Sequence, residues 1–200
     1  MTESVDVRQA TRTDRRAMAR ALSEAFADDP VVSHLVPPGV RNRGARLRTM
    51  FALEVPRSQR CGGGWIAADE SAAAVWYPPD QWREPMLQTF LQGPASMWVF
   101  GRRISLATKV LITMVDHHPP QPHWYLLYIG TMMRAQGTGR GSQLLRAKLA
   151  ECDAHGVPAY LEATNERNRD LYRRHGFVDR EVLELPGDCP PLYPMWRDPA

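Results

Sequence analysis

No stretch of the 200 residues approaches the ~20 consecutive apolar side chains that a membrane span requires, and the N-terminus lacks the apolar core of a secretory signal. Cysteine is scarce. Cys61, Cys152 and Cys189 are widely spaced, odd in number and form no CxxC pair, which argues against a disulfide framework or a zinc site. Reduced thiols in a cytoplasmic protein are the expectation. A net charge of +3 is too small to argue for nucleic acid, although it would not oppose an anionic ligand. Internal repeats and a low-complexity tail are also missing. What remains is ordinary for a soluble globular chain, with 24% charged and 44% hydrophobic residues. One domain over residues 1–200 is expected, large enough to bury about 70% of its unfolded surface.

The informative stretch is 136–149, Gln-Gly-Thr-Gly-Arg-Gly-Ser-Gln-Leu-Leu-Arg-Ala-Lys-Leu. Glycines alternate at 137, 139 and 141 and then stop, and apolar residues follow at 144, 145, 149 and 152 with helical spacing. The preceding aromatic and β-branched run, 124–130, reads as a buried strand. Backbone without side chains can approach a ligand closely, and the free N–H groups of a helix N-terminus point at an anion. A phosphate or pyrophosphate suits such a device. A Walker loop is excluded, because no Lys-Ser or Lys-Thr follows the glycines, and the Gly-x-Gly-x-Gly spacing is not that of a dinucleotide fingerprint. On its own residues the stretch is either an anion loop or a glycine-rich turn with no ligand.

A second segment, 161–177, runs Leu-Glu-Ala-Thr-Asn-Glu-Arg-Asn-Arg-Asp-Leu-Tyr-Arg-Arg-His-Gly-Phe. It reads as a strand, an Asn, a short helix carrying a Tyr, and Gly-Phe opening another strand. Asn168 and Tyr172 stand four apart and share a helix face. Gly176 falls where that helix should stop, in a position that favours left-handed backbone. The interval between the two segments has room for one helix and one strand.

Gln136-x-x-Gly139-x-Gly141 resembles motif A, the coenzyme A pyrophosphate loop of the GNAT acyltransferase superfamily, and the second segment resembles its motif B. The resemblance is strong from 124 to 177. Residues 10–14 and 25–30, with 157–162, look like the puromycin N-acetyltransferase branch; 80–120 match nothing. The resemblance implies an α+β, three-layer fold, a mixed and mostly antiparallel twisted sheet with helices on both faces. It implies an acetyl-CoA-dependent N-acetyltransferase. The strand ending at Thr131 should splay from its neighbour, so that the main chain around Thr131, Met132 and Met133 pairs with pantetheine. Gln136, Gly137, Thr138, Gly139, Arg140, Gly141 and Ser142 would hold the pyrophosphate, and Asn168 and Tyr172 would face the coenzyme arm. Arg140 departs from the small aliphatic residue usual in this loop; it either contacts the nucleotide 3′-phosphate or faces water.

Acyl transfer to an amine sets two proton problems. The amine, with a free pKa near ~10, must lose a proton before it attacks, and the departing thiolate leaves better with an acid beside it. The resemblance puts the Tyr172 hydroxyl next to the thioester sulfur as that acid; the plainer alternative is a half-buried tyrosine bonded to backbone. Glu162 is the candidate base, acting through a water, with burial raising its pKa; the alternative is an outward-facing strand carboxylate. The expected acceptor is a small-molecule amine. The alternatives are a peptide or protein amine, and a non-catalytic coenzyme A-binding module. A nucleic-acid partner, a membrane and a bound metal are not expected, and the chain should be a monomer or homodimer.

Elsewhere, residues 5–8 suggest a first strand and Thr13 the cap of a helix that fails at Asp28-Asp29-Pro30. Those acids either meet a cationic substrate or form a solvated turn. Residues 41–57 suggest a helix with Leu47, Met50, Phe51 and Leu53 inward and a solvated face of arginines (41, 43, 46, 48). Residues 65–68 and 72–77 suggest an antiparallel pair. The apolar segment 85–115 is either an internal helix pair or a lid over an acceptor pocket; its expected core includes Met86, Leu87, Phe90, Leu91, Met97 and Trp98. His117, His118 and His123 invite a metal, but a Pro-rich linker is the preferred reading. Strands at 179–184 and 192–196 should pair antiparallel and close the sheet.

Overall fold

A computed structural model describes residues 6–83 and 93–200. Seven strands form one sheet in the order β1-β2-β3-β4-β5-β7-β6. They are β1 (Val7–Gln9), β2 (Gly64–Ala67), β3 (Ala72–Tyr77), β4 (Trp124–Thr131), β5 (Ala159–Ala163), β6 (Val178–Asp179) and β7 (Tyr193–Arg197). Every pairing is antiparallel except β4 with β5. That parallel pair needs a crossover, supplied by the helix grown from the glycine-rich loop.

Among the described residues the α-helices are α1 (Arg15–Ala25), α2 (Pro30–Leu35), α3 (Arg43–Arg60), α4 (Pro94–Phe100), α5 (Ile104–Asp116), α6 (Arg140–His155) and α7 (Glu166–Arg173). Both sheet faces are covered, and the period-2 alternation of strand side chains divides the core in two. Ile66, Ala73, Val75, Tyr77, Tyr125 and Tyr160 join the cluster with α1, α3 and α5. Trp65, Ala72, Ala74, Trp76, Leu126 and Leu161 join the other, with α6 and Tyr172. All six β3 residues are therefore buried. The expected layered architecture is what is found.

Several sequence expectations need correction. Thr13 does not cap α1, whose N-cap is Asp14; a 3-10 turn over 12–14 precedes it, capped by Thr11, and the Asp14 carboxylate accepts from the Thr11 N–H at 2.7 Å and from the Thr11 hydroxyl at 2.8 Å. The first strand starts at Val7; Val5 lies outside the described residues. Asp28-Asp29-Pro30 does not merely end α1. Pro30 opens α2, and Asp29 caps it by accepting the Val32 N–H at 2.9 Å. Arg43 is not on a solvated face, since its guanidinium donates to the Val36 carbonyl at 2.7 Å and the Ala27 carbonyl at 2.6 Å.

The 85–115 segment contributes α4 and α5, but Met97 and Trp98 are 58% and 43% exposed, so α4 turns them outward. Met86, Leu87, Phe90 and Leu91 lie outside the described residues. The 179–184 strand shrinks to β6 plus an isolated Leu183–Leu192 bridge, and β6 sits at the sheet's edge. All three cysteines are free.

Candidate active site

The parallel pairing of β4 and β5 covers only Trp124–Ala159, Tyr125–Tyr160 and Leu126–Leu161. Beyond Leu126 the two strands part, so the half of β4 from Leu127 to Thr131 faces a gap, and its residues are only half-buried although the run reads as continuously buried. On the other side of β4 the register with β3 slips between Val75 and Trp76, the signature of a bulge at Leu127. One irregularity thus frees one edge of main chain where two cavities meet.

The larger cavity is an open cleft of about 560 Å³. Thr131 and Met133 form one wall, the glycine loop and α7 the others, and Gln136, Gly137, Gly139, Arg140, Gly141 and Ser142 all line it. The first main-chain bond of α6 runs from the Gln143 N–H to the Gly139 carbonyl at 3.0 Å, so helix geometry leaves the earlier amides without an intrahelical acceptor. Gly137 (φ 77°) and Gly139 (φ 85°) are left-handed, and a Cβ at either would meet no protein atom within 4 Å. Bare glycines leave this space open, which is what close approach of an anion to the loop backbone requires. The rim carries Arg167 and Arg174.

Two of the predicted loop residues do not line the cleft. Met132 is buried and its N–H donates to the Ser71 carbonyl at 2.8 Å, while the Thr138 hydroxyl donates to the Ala135 carbonyl at 2.5 Å. Arg140 lines the cleft, but its side chain is engaged within the protein. Its guanidinium is held by Asp69 of the β2–β3 turn at 2.6 and 2.9 Å, and also touches Thr138. Burial opposes ionisation of Asp69, yet the hydrogen bonds from Arg140 and Ser71 outweigh it and hold the carboxyl at about 2.

The smaller cavity, about 110 Å³, runs between the sheet and the α2, α4 and α5 layer. Its walls are mainly apolar: Phe26, Val32, Met50, Leu111 and Tyr128 among others. Phe26, Phe51 and Tyr128 make a mutually tilted aromatic trio with centroids 4.9–5.6 Å apart. Its polar groups are few, and Glu162, Asp29 and Thr164 are among them. Asn168, Tyr172, Phe26, Asp29 and Ile129 line both cavities and so mark their junction.

Asn165 fixes this corner by capping α7, its side chain accepting the Asn168 N–H at 2.9 Å. Burial, helped by the nearby Asp29 charge, keeps the Tyr172 phenol protonated well above its usual range. The Glu162 side chain is 3% exposed, and Oε1 has no hydrogen-bond partner among the described residues. Burial pushes it up to about 7, although the Tyr125 and Tyr160 hydroxyls pull the other way. Glu162 faces inward, not outward.

Sequence reasoning did not foresee three features here. Asp29 carries a hydrogen bond from Thr164 across the fold at 2.5 Å. Gly130 is required because α1 lies against β4: a Cβ there would sit 2.5 Å from the Ala25 Cβ. His118 and His123 do lie in the Pro-rich connection from α5 to β4, but both are buried, His118 stacked on Trp82 and edge-on to Tyr125 and Tyr160. Among the described residues no group of three metal-type ligands occurs. Nor is any helix there long and apolar enough to cross a membrane.

Residues 65–177 match the model of the acetyltransferase (GNAT) family. An uncharacterized N-acetyltransferase of Schizosaccharomyces pombe is 27% identical over 199 residues, covering 93% of this chain and 80% of its own length. A Corynebacterium glutamicum structure, described as histone acetyltransferase HPA2 and related acetyltransferase, is 32% identical with a TM-score of 0.71 over 98% of this chain and 97% of that one. An N-acetyltransferase from Staphylococcus aureus shares the fold, with a TM-score of 0.66 at 18% identity over 96% and 98% of the two chains. The chain belongs to the GNAT family and is an N-acetyltransferase.

Proposed function

We propose that the chain moves an acetyl group from acetyl-coenzyme A directly to the primary amine of a small molecule. The observation that carries this reading is the junction at Tyr172, where an open cleft bounded by the glycine loop meets a smaller, mainly apolar cavity that holds the buried carboxyls of Glu162 and Asp29. The family uses acetyl-coenzyme A as donor. Here the amides of Gly137, Gly139, Arg140, Gly141 and Ser142 would hold its pyrophosphate, and the free edge of β4 at Thr131 and Met133 its pantetheine amides. Bound coenzyme supplies the thioester.

Glu162 takes the amine proton, directly or through one water, because a carboxylate held near 7 is both charged and basic enough at neutral pH. Tyr172 donates to the departing sulfur, and burial keeps that proton in place until the thiolate forms. Asn168, a turn before it, steadies the coenzyme arm. A small acceptor fits because the walls around Glu162 are apolar and close on it. Peptide amines are the second reading, favoured by the histone acetyltransferase description of the Corynebacterium structure.

Release of free thiol from acetyl-coenzyme A, followed with a panel of small amines and lysine peptides, tests the proposal. Turnover with small apolar amines and loss of roughly 10²-fold or more in Tyr172→Phe is expected. Turnover confined to peptides would overturn the acceptor assignment, and coenzyme binding without thiol release would overturn the mechanism.

A further inference from the structure

Ser142 is the third residue of α6 and lines the open cleft. A serine near the start of a helix readily turns its hydroxyl back onto local backbone. Here the hydroxyl oxygen lies instead 3.1 Å from His175 Nε2, a contact between residues 33 apart in the chain. His175 follows the end of α7 and does not itself line the cleft. Its backbone is tied on both sides. The His175 N–H donates to the Tyr172 carbonyl at 2.9 Å, and its carbonyl accepts Arg197 Nε at 3.0 Å. Arg197 of β7 is in turn held by both carboxylate oxygens of Asp153 on α6, at 2.6 and 2.8 Å. The imidazole is therefore carried on a frame that joins α7, β7 and α6.

The proton count at this contact is restrictive. A hydroxyl has one proton and two lone pairs, whereas a diphosphate oxygen can only accept. To bond a diphosphate in the cleft, Ser142 must give that anion its single proton. Its oxygen can then only accept, so the ring nitrogen beside it must be an N–H. A neutral imidazole meets this demand with Nε2 protonated and Nδ1 bare. Burial and the charges of Arg146, Arg174 and Arg197 hold His175 below the usual histidine range, which keeps the ring neutral at neutral pH. The ring is half-buried, so exchange with solvent water can supply either tautomer.

We propose that His175 is a positioning residue that turns the Ser142 hydroxyl onto the diphosphate of the coenzyme by donating Nε2–H to the hydroxyl oxygen. This rests on the glycine loop holding the coenzyme. The charged groups around the contact leave it room to act. Arg146 of α6 donates to the Ser142 carbonyl at 3.3 Å, Arg174 lies on the cleft wall, and Arg197 is paired with Asp153. The same contact couples the two ends of the bound donor. Tyr172 stands where the thioester would lie, and its carbonyl holds the residue that serves the loop.

Calorimetry with coenzyme A and the whole chain tests this without turnover. Ser142→Ala and His175→Leu should each weaken binding about three- to tenfold, the worth of one hydrogen bond. The double variant should lose little more than Ser142→Ala alone, because the two groups act as one unit. His175→Gln, whose amide N–H reaches the place of Nε2–H, should recover most of the loss. In turnover the His175→Leu defect should fall on KM for acetyl-coenzyme A rather than on kcat. It should vanish with acetyl-pantetheine, which has no diphosphate. Wild-type affinity in His175→Leu would overturn the proposal. So would losses that add in the double variant, or that are as large in His175→Gln, as a merely structural histidine predicts. Should His175→Leu not fold, the ¹H–¹⁵N spectrum of the wild type with coenzyme A decides: a protonated Nε2 on His175 supports the role, and a bare Nε2 overturns it. Normal affinity in both Ser142→Ala and Gly139→Ala would remove the coenzyme cradle itself, whereas a weakened Ser142→Ala beside a normal His175→Leu removes only the role of His175.

Discussion

The Asp29 carboxylate accepts the Thr164 hydroxyl at 2.5 Å and so ties the start of α2 to the end of β5, 135 residues later. The same carboxylate caps α2 and stands at the junction of the two cavities. Burial raises its pKa against the pull of Thr164 and the α2 amides. The folded state therefore holds this proton more tightly than the unfolded chain, and stability contributed by the neutral form is lost as pH rises through the folded pKa. Asp29→Asn keeps the cap and should flatten that decline, seen as a smaller drop in Tm between acidic and neutral pH. Thr164→Val should cost about 1–2 kcal/mol in chemical unfolding.

As the proposed base, Glu162 should set the pH dependence of the reaction. Because burial lifts it to about 7, kcat/KM should climb with pH through that value and then level off. Glu162→Gln should remove the climb, cost roughly 10²–10⁴ in kcat and leave acetyl-coenzyme A binding intact by calorimetry. Its raised pKa also means that the charged form destabilises the fold above neutrality. Glu162→Gln should accordingly melt higher than the wild type at pH 8, and a lower Tm there would contradict the burial argument.

Gly130 and Gly139 should fail differently. Gly130→Ala drives a methyl into Ala25 at 2.5 Å, so it should cost about 1–3 kcal/mol of stability through displacement of α1. Gly139→Ala meets no protein atom and pays only for its left-handed backbone, about 1–2 kcal/mol. Gly139 lines the cleft, so KM for acetyl-coenzyme A should rise well beyond what the stability change explains. Equal effects on KM would argue against a coenzyme cradle at the loop.

Asp69→Asn releases Arg140 from its ion pair. The pair is part-exposed, so Tm should move little, within about 1 kcal/mol of stability. The freed guanidinium sits on the cleft wall and should lower KM for acetyl-coenzyme A a few-fold at low salt, an effect that added salt erases. An unchanged KM at both salt concentrations would show that Arg140 does not reach the coenzyme.

Much of the site was legible before any coordinates. The glycine alternation, the helical spacing of Leu144, Leu145, Leu149 and Cys152, and the four-residue step from Asn168 to Tyr172 are local signals. Local backbone preference and side-chain period act over one or two turns, so they survive in a linear string. Asp28-Asp29-Pro30 misled for the same reason: an acid before proline ends one helix and caps the next with equal ease.

The sequence by itself determined the strand–loop–helix and strand–helix units, the glycines that keep the loop bare, and the carboxylate and phenol available for proton transfer. Only the tertiary structure decided what those groups meet. It brought Asp69 to Arg140 across 71 residues, turned Glu162 inward beside His118, and laid α1 so close to β4 that residue 130 has no space for a side chain. These contacts arise where distant elements pack against one sheet, and no period or local propensity records which neighbour a packed face will find.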